Sequence, residues 1–190
     1  MKLEKQGSLE ESLISEARSG KASSIEKLYK HFYGYAMSVA LRYTNSRDEA
    51  CEVVNDSYLK AFNKLDQYST KSSFKGWFRR IIINTSIDHY RKNVKHYSLL
   101  EIDNASSESY DSDAVDSLTK SEILNMLQEL PDILRIVFNM YEIEGFSHQE
   151  IAERLEIPAS SSRTYLARAK QKLRDKFKAL NEIRDEGAIR

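Results

Sequence analysis

Apolar residues recur at three- and four-residue steps along most of this chain, a period that admits amphipathic helices and little else. Ile25, Leu28, Tyr29, Phe32, Ala36, Val39, Ala40 and Tyr43 form one continuous stripe. Asn45-Ser46 interrupts it, and Ser46 with Glu49 three residues on has the spacing of a capping box. The helix that follows turns Ala50, Val53, Val54, Ser57, Tyr58, Ala61, Phe62 and Leu65 inward. Its outer face carries Glu49, Glu52, Asn55 and Asp56. A polar loop, Asp66 to Ser73, leads into a third helix predicted from Phe74 to about Lys92, capped by Ser72 or Ser73, and a shorter helix over Glu10–Arg18 precedes the series. Two prolines and six glycines in 190 residues are too few for a turn-rich β sandwich. The expectation is an all-α protein whose N-terminal part is a small helical bundle.

The remainder of the chain repeats the helical period in a different arrangement. Leu118 to Leu130 reads as a helix stopped by Pro131, and Asp132 to about Glu144 as a second, ended by Gly145 in the left-handed conformation. Ser147-His148-Gln149-Glu150 is a second capping-box sequence, opening a helix that runs to Leu155. Glu156-Ile157-Pro158 makes a turn, and a long basic helix follows from Ala159 to about Leu180. Two helices joined by a tight turn, the second strongly basic, make a helix-turn-helix, with Ile151, Ala152, Leu155, Ile157, Leu166 and Leu173 as its core. Between the halves, residues rich in Ser, Asp, Glu, Asn and Ala bury too little apolar surface to offset the entropy of ordering. The predicted organisation is therefore an N-terminal domain over 9–97, a flexible acidic linker over 98–116 and a C-terminal domain over 117–180.

The formal net charge is zero, from 29 basic and 29 acidic residues, but the charge is segregated. Residues 1–73 carry +1, 74–97 carry +5, 98–122 carry −6, 123–158 carry −5 and 159–190 carry +5. Two basic blocks cancelled by an acidic middle point to electrostatic recognition. The single cysteine excludes an internal disulfide framework and a cysteine-based zinc site. The charged N-terminus has no secretory pattern, and no apolar run approaches the roughly 18 residues of a membrane span, so a cytoplasmic protein without direct membrane insertion is expected. His31, His89, His96 and His148 show no paired metal-ligand spacing, and neither a phosphate-cradling glycine loop nor a nucleophile motif is present. No catalytic residue, metal or cofactor is expected, and the protein does not read as an enzyme.

Each basic block suggests a contact. On the last helix Ser160, Ser161, Ser162, Arg163 and Thr164 would meet base edges and phosphates in a major groove, with Arg168, Lys170, Lys172 and Arg174 on flanking phosphates. The plainer alternative is a solvated basic face on an ordinary surface helix. On the third helix Arg80, Asn84, Asp88 and Arg91 share one face, a mixed basic and amide surface suited to a nucleic-acid strand, with Lys92 beside it. Trp77 and Phe78 are read as core rather than as stacking platforms. The acidic outer face of the second helix is ill placed for DNA and well placed for a protein partner.

These segments resemble a family. Asp48-Glu49-Ala50-Cys51-Glu52-Val53-Val54-Asn55-Asp56-Ser57-Tyr58-Leu59-Lys60-Ala61-Phe62 is similar to the core-polymerase-binding helix of bacterial sigma factors. Phe74-Lys75-Gly76-Trp77-Phe78-Arg79-Arg80-Ile81-Ile82-Ile83-Asn84, continuing through Ile87-Asp88-His89-Tyr90-Arg91-Lys92, resembles their −10 promoter segment. Leu130-Pro131 and Gly145-Phe146-Ser147-His148-Gln149-Glu150-Ile151-Ala152-Glu153-Arg154-Leu155 resemble their −35-binding domain. The two-domain layout is that of the extracytoplasmic-function (ECF) subgroup. The resemblance implies that Glu52, Asn55 and Asp56 dock on core RNA polymerase and that Asn84, with the 66–73 loop, captures an unpaired −10 base. It further implies that Arg80, Arg91 and Lys92 hold the separated strand or adjacent duplex, and that Arg163 and Arg168 read the −35 element. Promoter DNA and core polymerase are thus the implied partners. An anti-sigma factor is a further candidate, and where it is membrane-anchored it would hold the protein at the inner membrane. Three departures from the family pattern are Ser160-Ser161-Ser162-Arg163 in place of a Gly-Thr-Val-Lys type sequence, Tyr165 in place of a common basic residue, and Cys51 in place of a common acidic one.

Two other readings stay open on the residues alone. One is a helix-turn-helix regulator that binds a duplex without polymerase, and the other is a sigma-like adaptor that occupies polymerase without initiating transcription.

Overall fold

The computed structural model describes residues 2–69, 72–100 and 120–187. Among these the chain is built from helices: α1 (Lys2–Arg18), α2 (Ala22–Ala40), α3 (Arg47–Asn63), a 3₁₀ turn at Leu65–Gln67, α4 (Phe74–Leu100), α5 (Lys120–Gln128), α6 (Asp132–Phe138), a π turn at Asn139–Ile143, α7 (His148–Leu155) and α8 (Ala159–Gly187). The chain divides into two compact units: residues 1–41 with 47–89, and residues 90–190 with the short segment 42–46. The acidic stretch beyond residue 100 lies outside the described residues as far as 119.

The elements follow the periodicity, and their ends differ from it where no breaker stands. α4 continues past Lys92 to Leu100, since neither glycine nor proline occurs between Gly76 and Pro131. Its start is set by Ser73, whose Oγ accepts from the Gly76 backbone N–H at 3.1 Å. A Cβ on Gly76 would lie 3.1 Å from that same oxygen. Gly145 takes φ +77° as expected of a left-handed terminator. The helix after Pro131 does not run uniformly to Glu144, because it widens into the π turn. The buried Asn139 side chain donates to the Arg42 carbonyl at 2.6 Å and to the Arg135 carbonyl at 3.0 Å, and the Glu144 N–H bonds back to the Asn139 carbonyl at 3.0 Å, the five-residue step of a π turn.

In the first unit α1 packs on α2 through Ile14 and Ala17, and α2 on α3. Leu28, Phe32, Val39, Val53, Val54, Phe78, Ile82 and Ile83 are buried between the helices. Aromatic rings tie α4 to this bundle, with Phe32–Phe74 at 5.0 Å and Tyr58–Phe78 at 4.7 Å between centroids. In the second unit α8 packs on α6 and α7. Leu127, Leu130, Leu134 and Ala169 form a core with Ile133, Phe138, Tyr165 and Leu173 around it, and Ile151, Leu155 and Leu166 are buried.

Candidate nucleic-acid interface

The start of the helix-turn-helix is held by hydrogen bonds that the sequence pattern had announced. Ser147 Oγ accepts from the Glu150 N–H at 3.2 Å while the Ser147 N–H donates to Glu150 Oε2 at 2.8 Å, a complete capping box. These bonds hold the Glu150 carboxyl below its ordinary range. The turn closes with Glu156 in the left-handed conformation at φ +56°, and α8 begins at Ala159. Along α8, Ser160, Arg163, Thr164 and Arg168 are exposed and Ser161 is half-buried. Ser162 corrects the expectation. It is fully buried, 2.9 Å from His148 Nδ1, and faces inward because it shares the four- and three-residue steps of Leu166 and Ala169. That stripe, carried on to Leu173, was readable in the sequence and places a serine in the core rather than on DNA. Lys170 is likewise committed, to Glu142 at 2.6 Å, while Lys172 is exposed. Tyr165 is half-buried against the leucine cluster, which accounts for an aromatic residue on a basic helix.

On α4, Arg80, Asn84, Asp88 and Lys92 are exposed and Arg91 is half-buried, at steps that keep them along one side of the helix. The Asp88 carboxylate is engaged by Lys60 of α3 at 3.1 Å. Phe78 is wholly buried, and Trp77 is half-buried beside Tyr68 and Phe74, with centroids 5.3 and 5.5 Å away. The loop before α4 is anchored by Arg18, which donates to the Leu65 carbonyl at 3.2 Å and the Tyr68 carbonyl at 2.8 Å. The Tyr68 hydroxyl donates to the Ser72 carbonyl at 2.5 Å. No local sequence pattern marks Arg18 for this role, since its acceptors lie 47 and 50 residues away.

The outer face of α3 is exposed at Glu52, Asn55 and Asp56 and half-buried at Glu49. Glu52 Oε2 lies 3.4 Å from His89 Nε2, and Asn55 Oδ1 accepts from the Tyr29 hydroxyl at 3.3 Å. Leu59, one further turn along, is 63% exposed on the same face. It was not among the residues expected there, although it falls out of phase with the inward stripe and in phase with Glu52, Asn55 and Asp56. Tyr58 points the other way. Its hydroxyl donates to the Tyr29 carbonyl at 2.9 Å, and burial pushes its phenol well above the ordinary value.

Three surfaces therefore stand on the described residues: a narrow basic and amide strip on α4, a broad basic face beginning at the first turn of α8, and an acidic face with one exposed leucine on α3. None of the described helices is long and apolar enough to cross a membrane.

Comparison with known proteins finds two family models in this chain, Sigma-70 region 2 over residues 28–96 and Sigma-70, region 4 over residues 120–173. The chain is 22% identical over 183 residues to the ECF RNA polymerase sigma-E factor of Haemophilus influenzae, covering 90% of this chain and 96% of that protein. It is 24% identical over 180 residues to the ECF RNA polymerase sigma-E factor of Escherichia coli, covering 88% and 94%. Among solved structures it resembles the sigma factor RpoE in complex with the anti-sigma factor NepR from Bartonella quintana, with a TM-score of 0.55 and 20% identity over 80% of this chain and 96% of that one.

Proposed function

This chain belongs to the extracytoplasmic-function subgroup of the sigma-70 factors, and we propose that it delivers core RNA polymerase to promoters through the three surfaces described above. The observation that carries the reading is the pairing of two exposed basic surfaces of different form with one acidic face. A strip bearing cations and an amide suits an unstacked strand, whereas a recognition helix suits a duplex major groove.

In this reading Glu52, Asn55 and Asp56, with Leu59 as an apolar centre and Glu49 at the edge, dock on the polymerase. Arg80, Asn84, Asp88, Arg91 and Lys92 line the −10 strand, Asp88 setting the position of Lys60 as well as the local charge. Ser160, Ser161, Arg163, Thr164 and Arg168 meet the −35 duplex. Residues 9–97 and 117–180 act as the two promoter-binding domains, with 98–116 as the acidic connection. The bond-making chemistry belongs to the polymerase, and the protein works where polymerase and chromosome are, in the cytoplasm. The RpoE relative from Bartonella quintana is described in complex with an anti-sigma factor. By analogy an anti-sigma factor covers the α3 face of this protein, and a membrane-anchored one would hold it at the inner membrane.

Transcription with purified core enzyme on fragmented genomic DNA tests the reading. Discrete start sites that depend on this protein are expected, and Glu52→Lys with Asp56→Lys should abolish both core binding and those transcripts. Duplex binding without any core binding would overturn the proposal in favour of a polymerase-independent regulator.

A further inference from the structure

Ser162 and His148 form a pair that neither a duplex contact nor the apolar core accounts for. The Ser162 side chain lies in the first turn of α8 with none of its surface exposed, and its Oγ is 2.9 Å from His148 Nδ1. A hydroxyl buried in a core requires such a partner, because left unpaired it forfeits its hydration with nothing in return. His148 is the first residue of α7, directly after the Ser147 cap. Its ring also stacks on Tyr141 of the π turn, at 4.5 Å between centroids and 23° between planes. One imidazole thus touches three successive pieces of the domain: the π turn, the start of the first helix and the first turn of the second.

Burial, and after it the neighbouring Arg163 guanidinium, disfavour the imidazolium. The ring is accordingly neutral near neutral pH, and either neutral tautomer leaves one donor and one acceptor for the bond. Apolar packing of Leu166 and Ala169 holds α8 in place without fixing a direction. The hydrogen bond adds a distance and an angle, at the residue immediately before Arg163.

We propose that His148 is a positioning residue for promoter reading, seating the first turn of α8 through Ser162 and so setting where Arg163 and Thr164 meet the bases. The proposal rests on α8 being the duplex-recognition helix. Recognition through paired hydrogen bonds to a base edge tolerates displacements of only about 0.5 Å, so a shift in this seat alters base preference before it alters folding.

The test uses holoenzyme assembled from core polymerase and the full chain, and reads affinity and base preference across the −35 element alongside thermal melting. His148→Phe keeps a ring against Tyr141 and removes the nitrogen, His148→Asn returns an amide near Nδ1, and Ser162→Ala removes the hydroxyl. His148→Phe and Ser162→Ala are each expected to weaken specific binding about tenfold and to flatten base preference, with core binding and binding to unrelated DNA unchanged. The double variant should lose no more than either single one, and His148→Asn should recover most of the preference. Unchanged preference in His148→Phe would overturn the proposal. So would losses that follow melting temperature alone with no recovery in His148→Asn, in each case with Arg163→Ala still losing preference. If Arg163→Ala itself binds and discriminates like the wild type, the assignment of α8 falls, and this proposal with it.

Discussion

α4 and α8 lie in segments of equal net charge, +5 over residues 74–97 and +5 over residues 159–190, yet they present that charge in different ways. α4 is buried at Phe74, Phe78, Ile82, Ile83, Thr85, Ser86 and Ile87, so what reaches solvent between Arg80 and Lys92 is a narrow strip. α8 is buried only at Ser162, Leu166 and Ala169 among its described side chains, and exposes a broad face. The acids sort the cations as well. Glu142 engages Lys170 and Glu129 engages Lys176, and on α4 Glu156 engages Arg91 while the strip's own carboxylate, Asp88, is engaged by Lys60. Net charge per segment therefore says nothing about how many cations face a partner. That number is set by how much of each helix the core claims and by which cations neighbouring carboxylates engage.

The largest effect expected from this contrast is on stability. Phe78→Ala should cost about 3–5 kcal/mol, because it empties a fully buried ring site in a helix that is both core and surface. Leu173→Ala, half-buried on the exposed helix, should cost clearly less in the same denaturant titration, and equal losses would break the comparison. Next in size is salt dependence. Arg168→Ala should lower the slope of log affinity against log salt by about one, for the phosphate no longer neutralised, whereas Arg163→Ala should relax base preference with a smaller change in slope. Lys172→Ala should remove about one more, and Lys170→Ala distinctly less, since Glu142 already holds that ammonium. Equal slopes for the two lysines would show that the Lys170–Glu142 pair opens on DNA. Smaller again is the cap. Ser147→Ala should cost about 1 kcal/mol by removing the hydroxyl that accepts from the α7 backbone, as read by thermal melting.

The smallest expected effect depends on pH. His148 is depressed below its ordinary value, chiefly by burial, and is a base whose neutral form the fold favours. Its contribution is complete above the unfolded value of about 6.5 and is lost as pH falls through the lower folded value. The gap in melting temperature between wild type and His148→Phe should accordingly narrow as pH falls from near 7.5 to below 6. A gap that widens on acidification would place the favoured charge state the other way round.

Much of the fold was legible because helices and caps are written in short-range patterns. The Ile25–Tyr43 stripe, the Ser147–Glu150 box and Gly145 each act within a few residues of themselves, and all appear where expected. The π turn was not legible. Its buried Asn139 side chain is held by the Arg42 carbonyl 97 residues away, and Asn139 looks ordinary in a linear reading. On the candidate surfaces exposure follows from the phase of the apolar stripe, and Glu52, Asn55, Asp56, Arg80, Asn84, Asp88, Lys92, Arg163 and Arg168 are exposed accordingly. Ser162 and Leu59 run against residue type: the phase of α8 buries a polar hydroxyl, and the phase of α3 exposes an apolar side chain.

What the sequence determined by itself is the set of elements and the type of each surface: helical periodicity, capping signals and charge segregation are local properties that survive without knowledge of the fold. What only the tertiary structure decided is the pairing. Arg18 reaches carbonyls 47 and 50 residues away, Lys60 meets Asp88, Lys170 meets Glu142, and His148 meets Ser162 across a turn. The physical reason is that a hydrogen bond or an ion pair requires two groups at one distance and angle. That coincidence is produced by packing, not by spacing along the chain.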